Sequence, residues 1–384
     1  MALTRFGKTV GERAGESGLI KLFLCGDVMT GRGIDQVLPF PGDPRLCEPC
    51  VTSAVGYVRL AEEVNGPISR PVDFGCVWGD ALSALRRARS DVRIVNLESS
   101  ITTSRNCEPK GINYKMNPAN VPCLKATDID CFVLANNHVA DWGMPGLVET
   151  LERLEKAGLK GVGAGHNIAQ AEAPAVIDVF GKGRVIVISL GSVTSGIPEA
   201  WAADEKRPGV VVIKDLSART VDRIAKRVRA IRRPQDIVVV SIHWGGNWGY
   251  EIPLDQTVFA RALIDEAGVD VVHGHSSHHV KGIEVYRGKP IIYGCGDFLN
   301  DYEGISGYET FRDDLTLMYL PVIDPSNGRL VRFEMTPLQI RRLRLNHVSR
   351  TDAAWLRDIL TRESKRFGTR AELAADNTLT LDWR

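Results

Sequence analysis

The chain has 384 residues, 44% of them hydrophobic and 25% charged, with a formal net charge of +1. That balance is ordinary for a soluble globular protein with a sizeable core, and it excludes a partner recognised mainly through net charge, such as nucleic acid or an anionic membrane. No stretch approaches the roughly 20 apolar residues of a membrane helix.

The opening "MALTRFGKTVGERAGESG" is charged and glycine-rich and lacks the apolar centre of a signal peptide. It reads as a flexible leader, 1–18, before a single domain over 19–384, and a cytoplasmic location is expected. Short apolar runs then alternate with helical patterns. Strands are predicted over 20–26, 92–97, 130–136, 173–180, 184–191, 236–245, 270–274 and 290–296. Helices are predicted over 78–90, 144–158, 216–233, with Ser217 as an N-cap, and 253–268. The continuous apolar strands imply sheets covered on both faces, and the alternation implies an α/β fold. The tail adds two strands, "LTLMYLPVI" and "LVRFEMTPLQI", and a helix, "TDAAWLRDILTRES". Basic runs such as "RAIRR" and "RRLRL" read as solvated faces.

Metal-ligand chemistry follows one strand after another. Asp27 follows the first; Glu98, preceded by Asn96, follows the second; "NNHVADWG" brings Asn136, Asn137, His138 and Asp141 after the third. His243 ends "VVVSIH". The run "HGHSSHH" puts His273, His275, His278 and His279 within seven residues, and Asp297 follows "IIYGCG". Sites in α/β sheets form at the carboxyl ends of strands, and core packing does not require six strand ends with Asp, Glu, Asn or His. Oxygen and imidazole donors suit Mn, Fe, Zn or Mg. A carboxylate shared among several imidazoles suits a dinuclear divalent metal site that activates one water.

Eight cysteines are too sparse for a disulfide scaffold, so all are expected to be reduced. Cys47 and Cys50 form one C-x-x-C, a weak zinc signal without a second pair.

Together "GDVMTGRG", "NLES", "LANNHVADWG", "KAGLKGVGAG", "SIHWGGNWG" and "HGHSSHHVKGIEVYRGKPIIYGCGDF" resemble the CapA family, named for poly-γ-glutamate capsule synthesis and related to calcineurin-like metallophosphatases. The resemblance runs from about residue 20 to 300. It implies a four-layer α-β-β-α sandwich carrying a dinuclear metal site. Residue by residue it implies Asp27, Glu98 (as the bridging carboxylate), Asn137, His243, His275 and His278 as metal ligands, with His138 facing the substrate as an acid. The chain departs from the pattern at Met29, which stands where metallophosphatases have a ligand histidine. It departs again at Gly274-His275-Ser276-Ser277-His278, where typical relatives read glycine-histidine-histidine-proline-histidine.

The expected function is a metal-dependent hydrolase or transferase acting on a peptide or poly-γ-glutamyl substrate. Arg32 and Lys110 are candidates to hold an anionic group, and Trp244 to line a peptide groove beside Trp142, Trp248 and Tyr250. An alternative is a peptide Cα-epimerase of a ribosomally made, lasso-type pathway, with Asp297 and Cys295 as further acid–base groups. A phosphoesterase is the second alternative.

Overall fold

The protein is described by a computed structural model covering residues 18–383. The expected leader, apart from Gly18, lies outside the described residues. The fold is mixed α/β, built on a ten-stranded and a seven-stranded sheet.

At the centre of the larger sheet lies Ile20–Val28. On one side it pairs in parallel with Val92–Leu97, followed by Cys131–Val133 and Gly161–Val162. On the other it pairs antiparallel with Leu315–Asp324, followed by Arg329–Ile340 and the hairpin Arg370–Leu373 and Leu379–Asp382. In the smaller sheet Gly183–Ser192, Asp236–His243, Val271–His275 and Lys289–Ile292 run parallel. Ala175–Val179 and Ile283–Tyr286 are antiparallel additions to it.

Side-chain alternation explains how the two sheets stack. Ile20, Leu22 and Leu24 join Val185, Val187, Ile237, Val239 and Val271 in one buried cluster between the sheets. Phe23 and Cys25 point the other way, into a cluster with Val58, Leu85 and Leu147 of the helices Ala54–Asn65, Asp80–Ala88 and Gly143–Lys156. On the outer face of the second sheet, Ile186, Ile188, Val238 and Val240 pack on Val221, Ile224, Phe259 and Leu263. These last four belong to helices Ala218–Ile231 and Leu254–Asp265. Each strand is therefore apolar on both faces, as its composition required.

The expected elements form, most of them trimmed at the ends. Ser217 caps its helix by accepting from the Thr220 N–H. The run 130–136 stops as a strand at Val133, and 290–296 stops at Ile292. Beyond these points the backbone turns to present functional groups; Gly296, for example, has φ +75°. Several elements were not legible, among them the helix Ala54–Asn65, interrupted by Gly56, the strands Gly161–Val162 and Ile283–Tyr286, and the final hairpin, whose strands alternate but span only four residues each.

Gly26 sets how closely the Asp297 segment can approach the first strand. A Cβ at Gly26 would lie 1.6 Å from the Gly296 carbonyl oxygen. That carbonyl accepts from the Asp27 N–H at 3.2 Å, and Asp27 and Asp297 are register partners. Gly26→Ala should therefore cost at least about 3 kcal/mol, the upper range for overpacking, in urea unfolding; near-wild-type stability would show that the two segments can separate freely.

Candidate metal centre

Asp27 ends the first strand and is fully buried. Its Oδ1 accepts from Asn96 Nδ2 at 2.8 Å, while Oδ2 has no hydrogen-bond partner. Two groups of side chains meet on it. One is Asp27 with His243 and His275; the other is Asp27 with His278 and Asp297. In each, the potential ligand atoms lie within 4.8 Å of one another. The carboxylate shared by both groups is thus Asp27. Glu98, expected as the bridge, stands beside it, its oxygens 3.8 Å from His138 Nε2 and 3.9 Å from His243 Nδ1.

The smaller sheet presents its histidines in register, His243 opposite His275. A buried chain of hydrogen bonds assigns their tautomers. His273 Nε2 lies 2.8 Å from the Cys25 carbonyl, which can only accept. His273 Nδ1 must then accept from the Ser241 hydroxyl at 3.0 Å, leaving that oxygen to accept from His275 Nε2 at 2.9 Å. So His275 Nδ1 carries a lone pair, and it faces His243 Nδ1 at 2.8 Å. His243 Nε2 in turn lies 2.9 Å from Asn137 Oδ1. If it donates there, two nitrogen lone pairs confront each other, an arrangement that a bound cation relieves, as does the opposite His243 tautomer with the Asn137 amide turned. Burial holds both imidazoles well below their usual pKa, so protons are poor candidates for the role.

The second group rests on the bend after His275. Ser276 has φ 109°, rare for a residue with a side chain. The bend lets His278 Nδ1 reach Asp297 Oδ1 at 2.9 Å, and Asn300 Nδ2 donates to Asp297 Oδ2 at 2.8 Å. Met29, buried, belongs to neither group; His278 from the later loop supplies an imidazole instead.

Electrostatics agree with the geometry. Burial, then Asp297, pushes the Asp27 carboxyl up to about 7. Burial, then Asp27 and Asp297, holds Glu98 well above the usual carboxylate range. Buried carboxylates this close favour a cation among them. The unpartnered Asp27 oxygen, the facing imidazoles and this crowding fit one or two divalent ions.

His138 sits at the rim. Its Nδ1 lies 2.7 Å from Asp141 Oδ2, leaving Nε2 directed toward Glu98. Burial is the main force lowering its pKa to about 4, against the pull of Asp141. Burial thus favours the neutral form of the imidazole. Lys110 donates to Asp141 Oδ1 at 2.7 Å and to the Asn137 carbonyl, so it reaches the site but holds protein groups there. Asp141 follows His138 by three residues and, with Asn96, Asn136, Ser241 and Asn300, was not given a role from sequence. Asn136 Oδ1 accepts from the His138 and Val139 N–H groups, fixing the loop.

Three expected residues fall elsewhere. Arg32 is 1% exposed and closed in by Glu48 at 3.2 Å, by Asp301, and by the rings of Tyr57 and Tyr114. Trp244 packs in the core, its Nε1 donating to the Tyr293 carbonyl. Cys295 is buried between the sheets, where burial holds its thiol protonated. Trp244 and Cys295 lie within two residues of a site residue and Arg32 five after Asp27, but strand and turn geometry directs each side chain inward. Trp142 is likewise buried, whereas Trp248 stacks on Tyr308 at 3.9 Å beside His278. The expectation of eight free cysteines is also overturned: Cys47 is bonded to Cys107, 60 residues away, a pairing no local spacing reveals.

Residues 21–302 match the family model described as bacterial capsule synthesis protein PGA_cap. The chain belongs to this family. As a PGA_cap protein it is similar over its length to the probable polyglutamine synthesis accessory protein of Mycobacterium tuberculosis, at 49% identity over 96% of this chain and 97% of the relative. It is also similar to the PGA biosynthesis protein CapA of Bacillus subtilis, at 31% identity over 65% of this chain and 62% of the relative. The capsule biosynthesis protein CapA of Bacillus anthracis is 28% identical over 79% of this chain and 64% of the relative. The CapA resemblance carried by the strand-end motifs is thereby borne out.

Removing Arg32 should expose its structural role. Arg32→Met leaves Glu48 and Asp301 buried without their cation, which should lower unfolding stability by about 3–5 kcal/mol. Chemical denaturation checks it. An unchanged midpoint combined with weakened substrate binding would restore the recognition role expected from sequence.

Proposed function

We propose that this PGA_cap protein is a metal-dependent hydrolase or transferase acting on a γ-glutamyl chain during polyglutamate synthesis, with a metallophosphatase-type sandwich as its scaffold. The observation that carries the reading is the sharing of Asp27 by two donor groups, with one of its oxygens unpartnered. The relatives' names, which speak of polyglutamine and PGA synthesis, supply the substrate class.

In this reading Asp27, His243, His275 and Asn137 would hold one divalent ion, and Asp27, His278 and Asp297 would hold a second. Such ions, when bound, polarise a carbonyl oxygen and acidify a water. The protein's own part is orientation and proton transfer. Ser241 and His273 fix the His275 tautomer. Asn96 holds Asp27 and Glu98 in place through one amide, at 2.8 Å to each. Asp141 holds His138 by Nδ1, so Nε2 is set to take a proton from the attacking nucleophile and return it to the leaving amine. A cavity of about 380 Å³ is lined in part by Asn300, which donates to Asp297, although none of the donor residues lines it.

The epimerase alternative needs a second base opposite His138. Of the two candidates from sequence, Cys295 is buried and protonated, and Asp297 is engaged by His278 and Asn300, which weighs against it. Among the described residues no helix is long and apolar enough to cross a membrane. The Cys47–Cys107 disulfide supports a non-reducing compartment over the cytoplasm.

Incubating the protein with Mn²⁺ and a γ-linked glutamate oligomer in D₂O, followed by mass spectrometry, tests the reaction class. Shortened or transferred chains are expected. An intact chain gaining one deuterium would point to epimerisation, and turnover of a phosphate ester alone would point to a phosphoesterase. His138→Ala should keep its metal and lose about 10²–10⁴-fold in turnover; loss of metal would make His138 a ligand.

A further inference from the structure

The C-x-x-C pair is not used by the metal centre, yet it sits where it can act on it. Cys47 and Cys50 share one small surface loop. Its ends are pinched by Leu46 N–H to the Thr52 carbonyl at 3.0 Å, Ala54 N–H to the Pro44 carbonyl at 2.7 Å, and a bridge between Arg45 and Ser53. Cys47 and Cys50 are both exposed, and Cys50 is a free thiol three residues from a bonded cysteine. Cys107 enters this loop from a different segment.

We propose that Cys47, Cys50 and Cys107 form a thiol–disulfide exchange site that controls the loop carrying Lys110. The Cys50 thiolate attacks Cys47 Sγ. The Cys47–Cys107 bond breaks, a Cys47–Cys50 bond forms, and Cys107 leaves as a thiolate that takes up a proton. One disulfide is exchanged for another, so no external oxidant or reductant is consumed.

The released segment reaches the metal centre directly. Glu108, next to Cys107, donates its N–H to the Asp141 carbonyl at 2.8 Å and accepts from Asn113 Nδ2 at 3.2 Å. Two residues further on, Lys110 holds the Asp141 carboxylate that orients His138. On the other side, Glu48, adjacent to Cys47, accepts from Asn113 N–H at 3.3 Å and from Arg32. The Cys47–Cys107 bond is the covalent tie across this seam. Breaking it leaves the Lys110 segment held by hydrogen bonds and the Lys110–Asp141 ion pair, with no covalent tie to the Cys47 loop. The effect on activity rests on the metal-enzyme reading above, whereas the exchange itself does not.

Alkylation and peptide mapping of the full chain test the exchange. At about pH 8, near an ordinary thiol pKa, iodoacetamide should label Cys50 in the main species. It should also label Cys107 in a second species bonded Cys47–Cys50. Cys50→Ser should reduce Cys107 labelling by at least about tenfold, and Cys107→Ser should form Cys47–Cys50 in oxidised glutathione. Labelling of Cys107 that is equal in wild type and Cys50→Ser, or free thiols at 47 and 50 in Cys107→Ser, overturns the exchange. Limited trypsin digestion reads the loop without any activity assay. Cleavage after Arg105 or Lys110 should be faster in Cys107→Ser than in Cys50→Ser; equal rates overturn the control of the loop while leaving the metal reading untouched.

Discussion

Asp27 carries more negative charge into the interior than its neighbours can neutralise. It lies fully buried beside Glu98 and Asp297, themselves buried, and one of its oxygens meets no donor. Hydrogen bonds from Asn96 and Asn300 satisfy some of the acceptors, but amides do not cancel charge. An unpaired buried carboxylate costs several kcal/mol, and the protein either keeps it protonated or gives it a cation. The pKa values of Asp27 and Glu98, both driven upward chiefly by burial, report that tension. A divalent ion on each side of Asp27 would remove it.

The rest of the fold serves this meeting. Two stacked sheets end their parallel strands toward one another, so Asp27 and Asn96 come from one and His243 and His275 from the other. The link between the sheets is itself a histidine, His273, bonded to the Cys25 carbonyl one turn of the pleat before Asp27. Packing and chemistry are therefore joined: His273 crosses the sandwich, fixes Ser241, and through Ser241 fixes which nitrogen of His275 faces the centre. Gly26, Gly296 and the left-handed Ser276 supply the close approaches that side chains elsewhere would block.

Much of this was legible in the sequence because strands covered on both faces have a distinctive composition. "VVVSIH" and "DVVHGH" showed both the strand and the residue at its end. Asp27, His243 and the histidine run at strand ends followed from that pattern, whereas the choice of His275 and His278 within the run was implied by the family resemblance. Direction was harder to read. Trp244 and Cys295 sit within two residues of site residues along the chain, and Arg32 follows Asp27 by five, but a strand alternates faces at every residue and a turn reverses them. Nothing in the spacing marks which neighbour turns inward. Asp297, expected as an acid–base group, pairs with His278 because the Ser276 bend brings that imidazole round, and the bend leaves no signature of glycine or proline at its own position. The Cys47–Cys107 bond was invisible for a different reason: long-range pairings depend on how two loops pack, and the sparse cysteine count pointed to no disulfide at all.

The most direct measurement is the metal content of the chelator-free protein beside two single-residue variants, by elemental analysis after loading with Mn²⁺ and removal of excess. If Asp27 is the carboxylate common to two sites, the wild type should hold two ions per chain. His278→Ala should then hold one, and Asp27→Ala none or only weakly bound metal, with all three proteins folded by circular dichroism. A folded Asp27→Ala variant that keeps both ions would contradict the account, because the charge at the centre of the sandwich would then be neutralised without the residue on which both donor groups converge.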